Sequence, residues 1–374
     1  MRRYLILTAG MGDGHLQVAA ELRRRLIQRG GAAEVVDILR VLPFNLGPLL
    51  RGSYSAVLRH TPWVYEAIYR KFFVPRNGAA MRPDPLVTVS APAVCRLIEK
   101  YRPDVVVSTF HLCGQITGRL RESNRLAMPA VVVVNELVAH QMWTHPGNDA
   151  FICLHQSIAT DVSARTARPA FAAAPAVRPE FTAPVDAAAA RRSVRTQLGI
   201  DPQVPVALVS AGAWGSGDIV ETVEAIAAAK HVTVVLCGRN ERLRRRLARG
   251  VRAGEVRALG WRDDLPDVMR ASDVLVENAG GQTAMEALAI DLPVLTFRPL
   301  PGHGQDDARA MFELGLSSFA DDPNELLSLI GELSAPQSRR RKDQLAAGHA
   351  LFTTDPVEFL DRSPLLASGQ SLRR

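Results

Sequence analysis

The chain of 374 residues is 47% hydrophobic and 22% charged, ordinary globular values whose length predicts two domains and excludes a disordered, fibrous or disulfide-stapled protein. Its four cysteines (Cys95, Cys113, Cys153, Cys237) stand far apart, fit no metal spacing and read as reduced thiols. The net charge of +7 is uneven: residues 1–180 hold 22 of the 45 basic and 13 of the 38 acidic side chains, so the whole positive excess lies in the first half. Such asymmetry suggests an anionic partner, a membrane surface or nucleic acid, or only an arginine-rich surface.

The chain opens with an apolar strand, Tyr4–Thr8, too short for a signal peptide, and no later run reaches the ~18 apolar residues of a spanning helix. A cytoplasmic protein is expected. The glycine loop Gly10-Met-Gly-Asp-Gly14 follows, and then Val18, Ala19, Leu22 and Leu26 recur at helical spacing. A dinucleotide fingerprint, with Asp37 as the ribose acid, would need glycine at position 15, where His stands. His15 at a helix start beside a glycine loop suits a general base, and Asp13 competes for that role. A helix-start His bonding loop carbonyls is the plainer alternative.

The segment from Phe44 to Arg76 carries seven of the 21 aromatics (Phe44, Tyr54, Trp63, Tyr65, Tyr69, Phe72, Phe73), interleaved with Arg51, Arg59, Arg70, Lys71 and Arg76. Rings and cations on a helix suit a bilayer interface, where each cation gains ~1 kcal/mol near anionic lipid. Stacking on single-stranded nucleic acid is the weaker reading and a buried core helix the plain one. Further strands are predicted at Ala33–Ile38, Asp104–Ser108, Ala130–Val134 and Ala150–Leu154, alternating with helices as in a parallel sheet.

Residues 179–202, rich in Ala and Pro with Arg191, Arg192 and Arg195, read as a linker between domains at 1–178 and 203–352. Strands resume at Val206–Ala211, Val232–Cys237, Val256–Leu259, Val274–Val276 and Val294–Phe297, with helices at Ile219–Ala228 and Thr283–Ala289; a polar tail, 353–374, is expected to fray. The architecture predicted is α/β: two doubly wound, Rossmann-like domains facing a cleft.

In such sheets ligands bind beyond the carboxyl ends of the strands, where the second half places its glycines. Ser210-Ala-Gly-Ala-Trp-Gly-Ser-Gly217 leads into a helix and lets amides approach phosphate. Glu277-Asn-Ala-Gly-Gly-Gln-Thr-Ala-Met-Glu286 offers Gly280 and Gly281, then a carboxylate suited to a ribose diol. A lone Glu there would otherwise be dipole stabilisation worth ~0.3–1 kcal/mol. The loop Pro299–Asp307 crowds His303, Gln305, Asp306 and Asp307 together, suiting sugar hydroxyls or simply a solvated turn. No Asp-x-Asp and no P-loop occurs, so a metal-chelated diphosphate is not expected.

These motifs together resemble the processive diacylglycerol glucosyltransferases and monogalactosyldiacylglycerol synthases of glycosyltransferase family 28. The likeness rests on Leu7–Ala19 around Gly14-His15, His140-Gln-Met-Trp143-Thr-His145, Val177-Arg178-Pro-Glu-Phe181, Cys237-Gly238-Arg-Asn240, Gly280–Ala287 and Pro301-Gly302. It implies a GT-B fold and inverting transfer of a sugar from a UDP-sugar to a lipid or lipid-linked acceptor, with no metal and no nucleic acid, at the inner face of the cell membrane. Carried over, His15 is the active-site histidine. Arg178, Gly212, Ala213, Gly238, Gly280, Gly281 and Thr283 serve the diphosphate, Trp261 and Arg262 the uracil, and Glu286 the ribose. Gly302, His303, Asp306 and Asp307 serve the sugar. Trp63, Tyr65, Tyr69, Arg70, Lys71, Phe72, Glu136, His140 and Trp143 belong to the acceptor and membrane side. The loop departs from the family's Pro-Gly-Gln-Glu at His303, with Asp307 at its Asn position, and His303 near Arg298 suggests an acidic or acetamido sugar. Glu136 replaces the usual Asp. A UDP-sugar 2-epimerase and a non-catalytic nucleotide-sugar sensor are the alternatives.

Overall fold

The computed structural model describes residues 1–74, 85–210, 212–213, 215–229, 231–250 and 255–362. Arg76, Ala211, Trp214 and the Arg59 side chain, all singled out above, lie outside the described residues, as do positions 363–374. The chain divides into two compact units: 1–56, 67–176 and 351 onward form the first, 57–66 and 177–350 the second.

The first unit is a parallel six-stranded sheet of β1 (Arg3–Thr8), β2 (Ala32–Asp37), β3 (Val105–Ser108), β4 (Ala130–Val134), β5 (Ala150–Cys153) and β6 (Ala170–Ala172). Its order is β2-β1-β3-β4-β5-β6. Val-rich runs such as Val131–Val134 are buried along their whole length because helices cover both faces of a parallel sheet. One face packs Val18, Leu22 and Leu26 of the helix Asp13–Gln28 on Ile6, Val107 and Val133. The other packs Val94 and Ile116 on Leu5, Leu7 and Val106.

The second unit repeats the plan with β7 (Val206–Ser210), β8 (Val232–Leu236), β9 (Val256–Leu259), β10 (Val274–Glu277), β11 (Val294–Phe297) and β12 (Ser318–Ala320), in the order β12-β11-β10-β7-β8-β9. The strand order reverses between β1 and β3 in the first sheet and between β7 and β10 in the second. Such switch points open a crevice for ligands at the carboxyl ends of the strands.

Two expectations about the chain's organisation need correction. The segment read as a linker is built into the second unit: helices run over Pro179–Thr182 and Ala187–Gln197. There the buried Arg195 donates to the carbonyls of Ala271 (2.9 Å), Pro202 (2.9 Å) and Val204 (2.8 Å) and to Asp273 (2.8 Å). A cation with that many oxygen acceptors is an internal strut. The expected polar tail contains a helix, Pro356–Arg362, whose Val357 and Leu360 are fully buried in the first unit's core. The short edge strands β6 and β12 were not anticipated, since three residues carry too little periodicity to register.

The aromatic segment forms two helices, Leu46–His60 and Pro62–Phe72. Its rings divide between surface and interior: Phe44 is 90% exposed, Trp63 72% and Phe72 54%, whereas Tyr65 and Tyr69 are buried. The two tyrosines therefore do not belong to a bilayer-facing surface.

Candidate active site

His15 stands at the first unit's switch point, in the first turn of its helix after the glycine loop. The loop is fastened by Asp37, whose carboxylate accepts the amides of Gly10 (3.2 Å) and Leu39 (3.0 Å). A ligand role for Asp37 thus gives way to a structural one. The His15 Nδ1 atom lies 3.1 Å from the Thr109 carbonyl oxygen, which can only accept, with the Asn135 amide alongside. With that carbonyl as partner Nδ1 carries the ring hydrogen and Nε2 keeps its lone pair, an assignment in which the Asn135 amide, its nitrogen 2.9 Å from Nδ1, turns its oxygen to the ring. Burial lowers the His15 pKa below its ordinary value, with the Glu136 charge opposing, so the ring is neutral near pH 7.

Nε2 faces Glu136 at 3.9 Å. That carboxylate also accepts the Trp143 indole N–H at 2.8 Å and lies 3.4 Å from His140 Nε2. Glu136 follows β4 directly, and Trp143 and His140 sit in a short turn held over it, which explains why all three converge. Phe110 meets the imidazole edge-on at a centroid distance of 5.0 Å and Trp143 lies tilted to it at 6.2 Å, while His111 packs on Phe110 (4.1 Å) and Trp143 (5.9 Å) behind them. Thr109 Oγ1 and His140 Nδ1, both buried nearby, have no hydrogen-bond partner. The carboxylate beside His15 Nε2 is Glu136, a pairing that the 120 intervening residues hid from any reading by spacing.

In the second unit the residues picked as donor contacts, Arg178, Trp261 and Arg262 apart, fall into three neighbouring segments. The first is Gly212–Ala213, with Gly238 packed on it: Gly238 has φ +57°, and a Cβ there would stand 2.6 Å from the Gly212 carbonyl. Only glycine fits. The second is the turn after β10. The third is the loop after β11, where Gly302 begins the helix His303–Glu313. His303 Nδ1 lies 2.7 Å from the Tyr65 hydroxyl, in the 57–66 segment of the same unit, and Asp307 is buried while Asp306 is partly open. Trp261 is half exposed and the Arg239 guanidinium lies 4.0 Å from its ring centroid, whereas Arg262 is occupied by an ion pair with Asp264.

Glu286 and Arg178 make the most reactive pair. Arg178 caps the helix Pro179–Thr182 and its Nε lies 3.8 Å from Glu286 Oε1, yet neither atom forms a hydrogen bond. Glu286 is nearly inaccessible, and burial raises its carboxyl to about 7, with Arg178 opposing. Buried polar atoms left unsatisfied are costly, and here both lie among the glycine turns. Among the described residues no group of three or more His, Cys, Asp or Glu side chains is placed to hold a metal ion.

Two parallel doubly wound sheets, one carrying a neutral buried histidine and the other a set of glycine turns with an unsatisfied Arg–Glu pair, define a GT-B glycosyltransferase. Residues 15–170 match the monogalactosyldiacylglycerol (MGDG) synthase family and residues 210–334 match glycosyl transferases group 1. The chain is similar to the processive diacylglycerol beta-glucosyltransferase of Bacillus pumilus, with 22% identity across 100% of this chain and 98% of that one. The chloroplastic monogalactosyldiacylglycerol synthase 1 of Arabidopsis thaliana is 25% identical over 90% of this chain and 66% of its own length. Among solved structures, a UGT transferase from Siraitia grosvenorii in complex with UDP aligns over 98% of both chains with a TM-score of 0.60 at 14% identity.

Proposed function

We propose that this enzyme transfers a sugar, with inversion, from a UDP-sugar to the hydroxyl of diacylglycerol or a related lipid at a membrane surface. The observation that carries the reading is the pairing of buried Glu286 with the part-exposed Arg178, a diol acceptor and an anion binder side by side, each with an unused polar atom. Glu286 would take the ribose hydroxyls, and Arg178 with the amides around Gly212, Ala213, Gly280 and Gly281 the diphosphate, with Thr283 beside them. Fixed dipoles of this kind stabilise charge as it develops on the leaving group without reorganising. The loop Gly302–Asp307 would hold the sugar, and the backbone at Trp261 and Arg262 the uracil.

In the first unit the acceptor hydroxyl would sit against His15 Nε2. Its proton passes to Nε2 as its oxygen bonds the anomeric carbon, and UDP departs with the electrons of the old bond. The imidazolium so formed is compensated by Glu136 at 3.9 Å; a positioned base of this kind contributes ~10²–10⁴-fold. Asp13 shares the helix start and is the second candidate base.

The membrane reading is supported by Phe44, Trp63 and Phe72, large rings exposed to solvent, with exposed Arg51, Arg70 and Lys71 in the same segment. No described helix is long and apolar enough to cross a bilayer, so we propose peripheral attachment, at the cytoplasmic face. Flotation with anionic vesicles tests it: F72S combined with K71E is expected to lose most binding, and retention of wild-type binding would remove this part of the reading. A screen of UDP-glucose, UDP-galactose, UDP-N-acetylglucosamine and UDP-galacturonic acid, on vesicles holding diacylglycerol or a polyprenyl phosphate, tests the reaction. A lipid gaining one sugar mass, lost in H15A, supports it. Conversion of the sugar without lipid product would make the enzyme an epimerase instead.

A further inference from the structure

Glu277 has no part in the reaction described above, yet both oxygens of its carboxylate are engaged. It ends β10 and is 5% exposed. One oxygen accepts the backbone amides of Ala279 (2.6 Å) and Gly280 (2.5 Å); the other accepts the hydroxyl of Thr296 (2.6 Å) on the neighbouring strand β11. No cation is paired with it among the described residues, and burial pushes its carboxyl upward. Taking a carboxylate out of water without a counter-ion costs several kcal/mol unless hydrogen bonds replace the lost hydration. Here three donors do so, and two of them belong to one turn.

That turn is a hub. The Asn278 carbonyl accepts the amide of Leu300 (2.7 Å), and the Asn278 side chain donates to the Ser216 carbonyl (3.0 Å). Gly280, at φ +64°, leaves room for the sugar-loop helix: a Cβ on it would stand 3.1 Å from the Asp307 Cβ and 3.3 Å from the Ala308 nitrogen. The turn held by Glu277 is therefore in contact with the 212–217 segment, the 298–302 loop and the helix His303–Glu313. Those are the three segments that carry the proposed diphosphate and sugar contacts.

We propose that Glu277 is a positioning residue for the donor: by holding the amides of Ala279 and Gly280 it sets the spacing between the diphosphate turn and the sugar loop. The inference rests on the UDP-sugar reading of the second unit. Geometry and not charge is what it supplies. In E277Q the amide oxygen can accept both turn amides while the NH₂ donates to Thr296, whereas E277M keeps the bulk and removes every acceptor.

The test is calorimetric binding of UDP and of uridine to the full-length protein, with melting temperatures measured in parallel. E277M is expected to weaken UDP about tenfold or more and uridine less than twofold, because the uridine contacts lie at Trp261 and at Glu286, whose helix is also anchored by the buried Ala284, Met285, Ala287 and Leu288. E277Q is expected to restore most of the UDP affinity. Equal weakening of both ligands, or unchanged UDP affinity in a folded E277M, would overturn the inference. Should E277M fail to fold, T296V removes one donor only and is expected to weaken UDP about two- to fivefold with the same selectivity; no selectivity would again overturn it. A wild-type protein that binds neither UDP nor uridine would sink the donor reading itself, a result separable from a wild type that binds both and a variant that loses neither.

Discussion

The Glu286→Gln substitution removes a buried negative charge while keeping the shape of the side chain. Burial raises the Glu286 carboxyl from 4.5 to about 7. Between those two values the folded protein holds a proton that the unfolded chain has released. Stability therefore falls as pH rises from about 4.5 to about 7 and levels off above. At 1.36 kcal/mol per unit, Glu286 costs about 2.5 kcal/mol more at pH 8 than at pH 5. Glutamine does not titrate, so E286Q is expected to gain that amount relative to wild type between the two conditions. The constant cost of burying an amide cancels in the comparison. For a unit of this size the gain appears as a rise of about 5–10 °C in melting temperature at pH 8 relative to pH 5. Binding moves the other way. If the ionised carboxylate accepts the ribose hydroxyls, wild-type affinity for uridine falls about tenfold from pH 8 to pH 6 as Glu286 protonates; E286Q binds weakly at both. Uridine is the probe because UDP titrates in the same range. A stability difference between the two proteins that is flat with pH would refute the burial argument, and a flat uridine affinity would refute the ribose contact.

His15 must be neutral to accept a proton, and its pKa lies below 6.5. The acid limb of kcat, read at saturating donor so that protonation of free Glu286 does not enter, is therefore expected below pH 6.5, and E136Q, which removes the opposing anion, is expected to move it lower; a limb above 7 would contradict the assignment. H15A is expected to lose about 10²–10⁴-fold in kcat with uridine affinity unchanged. Arg195→Ala removes the donor to five oxygen acceptors inside the second unit and is expected to cost about 3–5 kcal/mol, seen as a melting temperature about 10 °C lower. A shift within 2 °C, on the order of 0.5 kcal/mol, would return Arg195 to the surface role its sequence context suggests.

Much of the fold was readable because buried parallel strands and glycine turns leave local marks. Ala130–Val134 is apolar throughout, and Gly10–Gly14 and Gly280–Gly281 each follow a strand and open a helix. What escaped was set by partners distant in the chain. Arg195 looks like surface charge until Ala271, Pro202 and Val204 supply carbonyls. Glu136 acquires its place only when β4 brings it to His15. Tyr65 and Tyr69 share a segment with Trp63 and Phe72, and nothing in the spacing says which rings turn inward. Glu277 stood inside a recognised motif without a role, because its partners are backbone amides that any sequence would provide.

The helix Pro356–Arg362 bears on how the polypeptide is made. The Tyr4 hydroxyl donates to Asp361 at 2.6 Å, Arg2 donates to the Asp361 carbonyl at 2.7 Å, and Arg25 and Arg29 pair with Asp355. The first 176 residues therefore cannot complete their own core when they leave the ribosome. They must wait for some 186 further residues, about 10–40 s at ordinary rates of synthesis. Through that interval the face that will receive Val357 and Leu360 stays open to water and to chaperones. A truncated acceptor half ending near residue 176 would stay in that state indefinitely, and supplying 351–362 as a separate peptide is the way to close it.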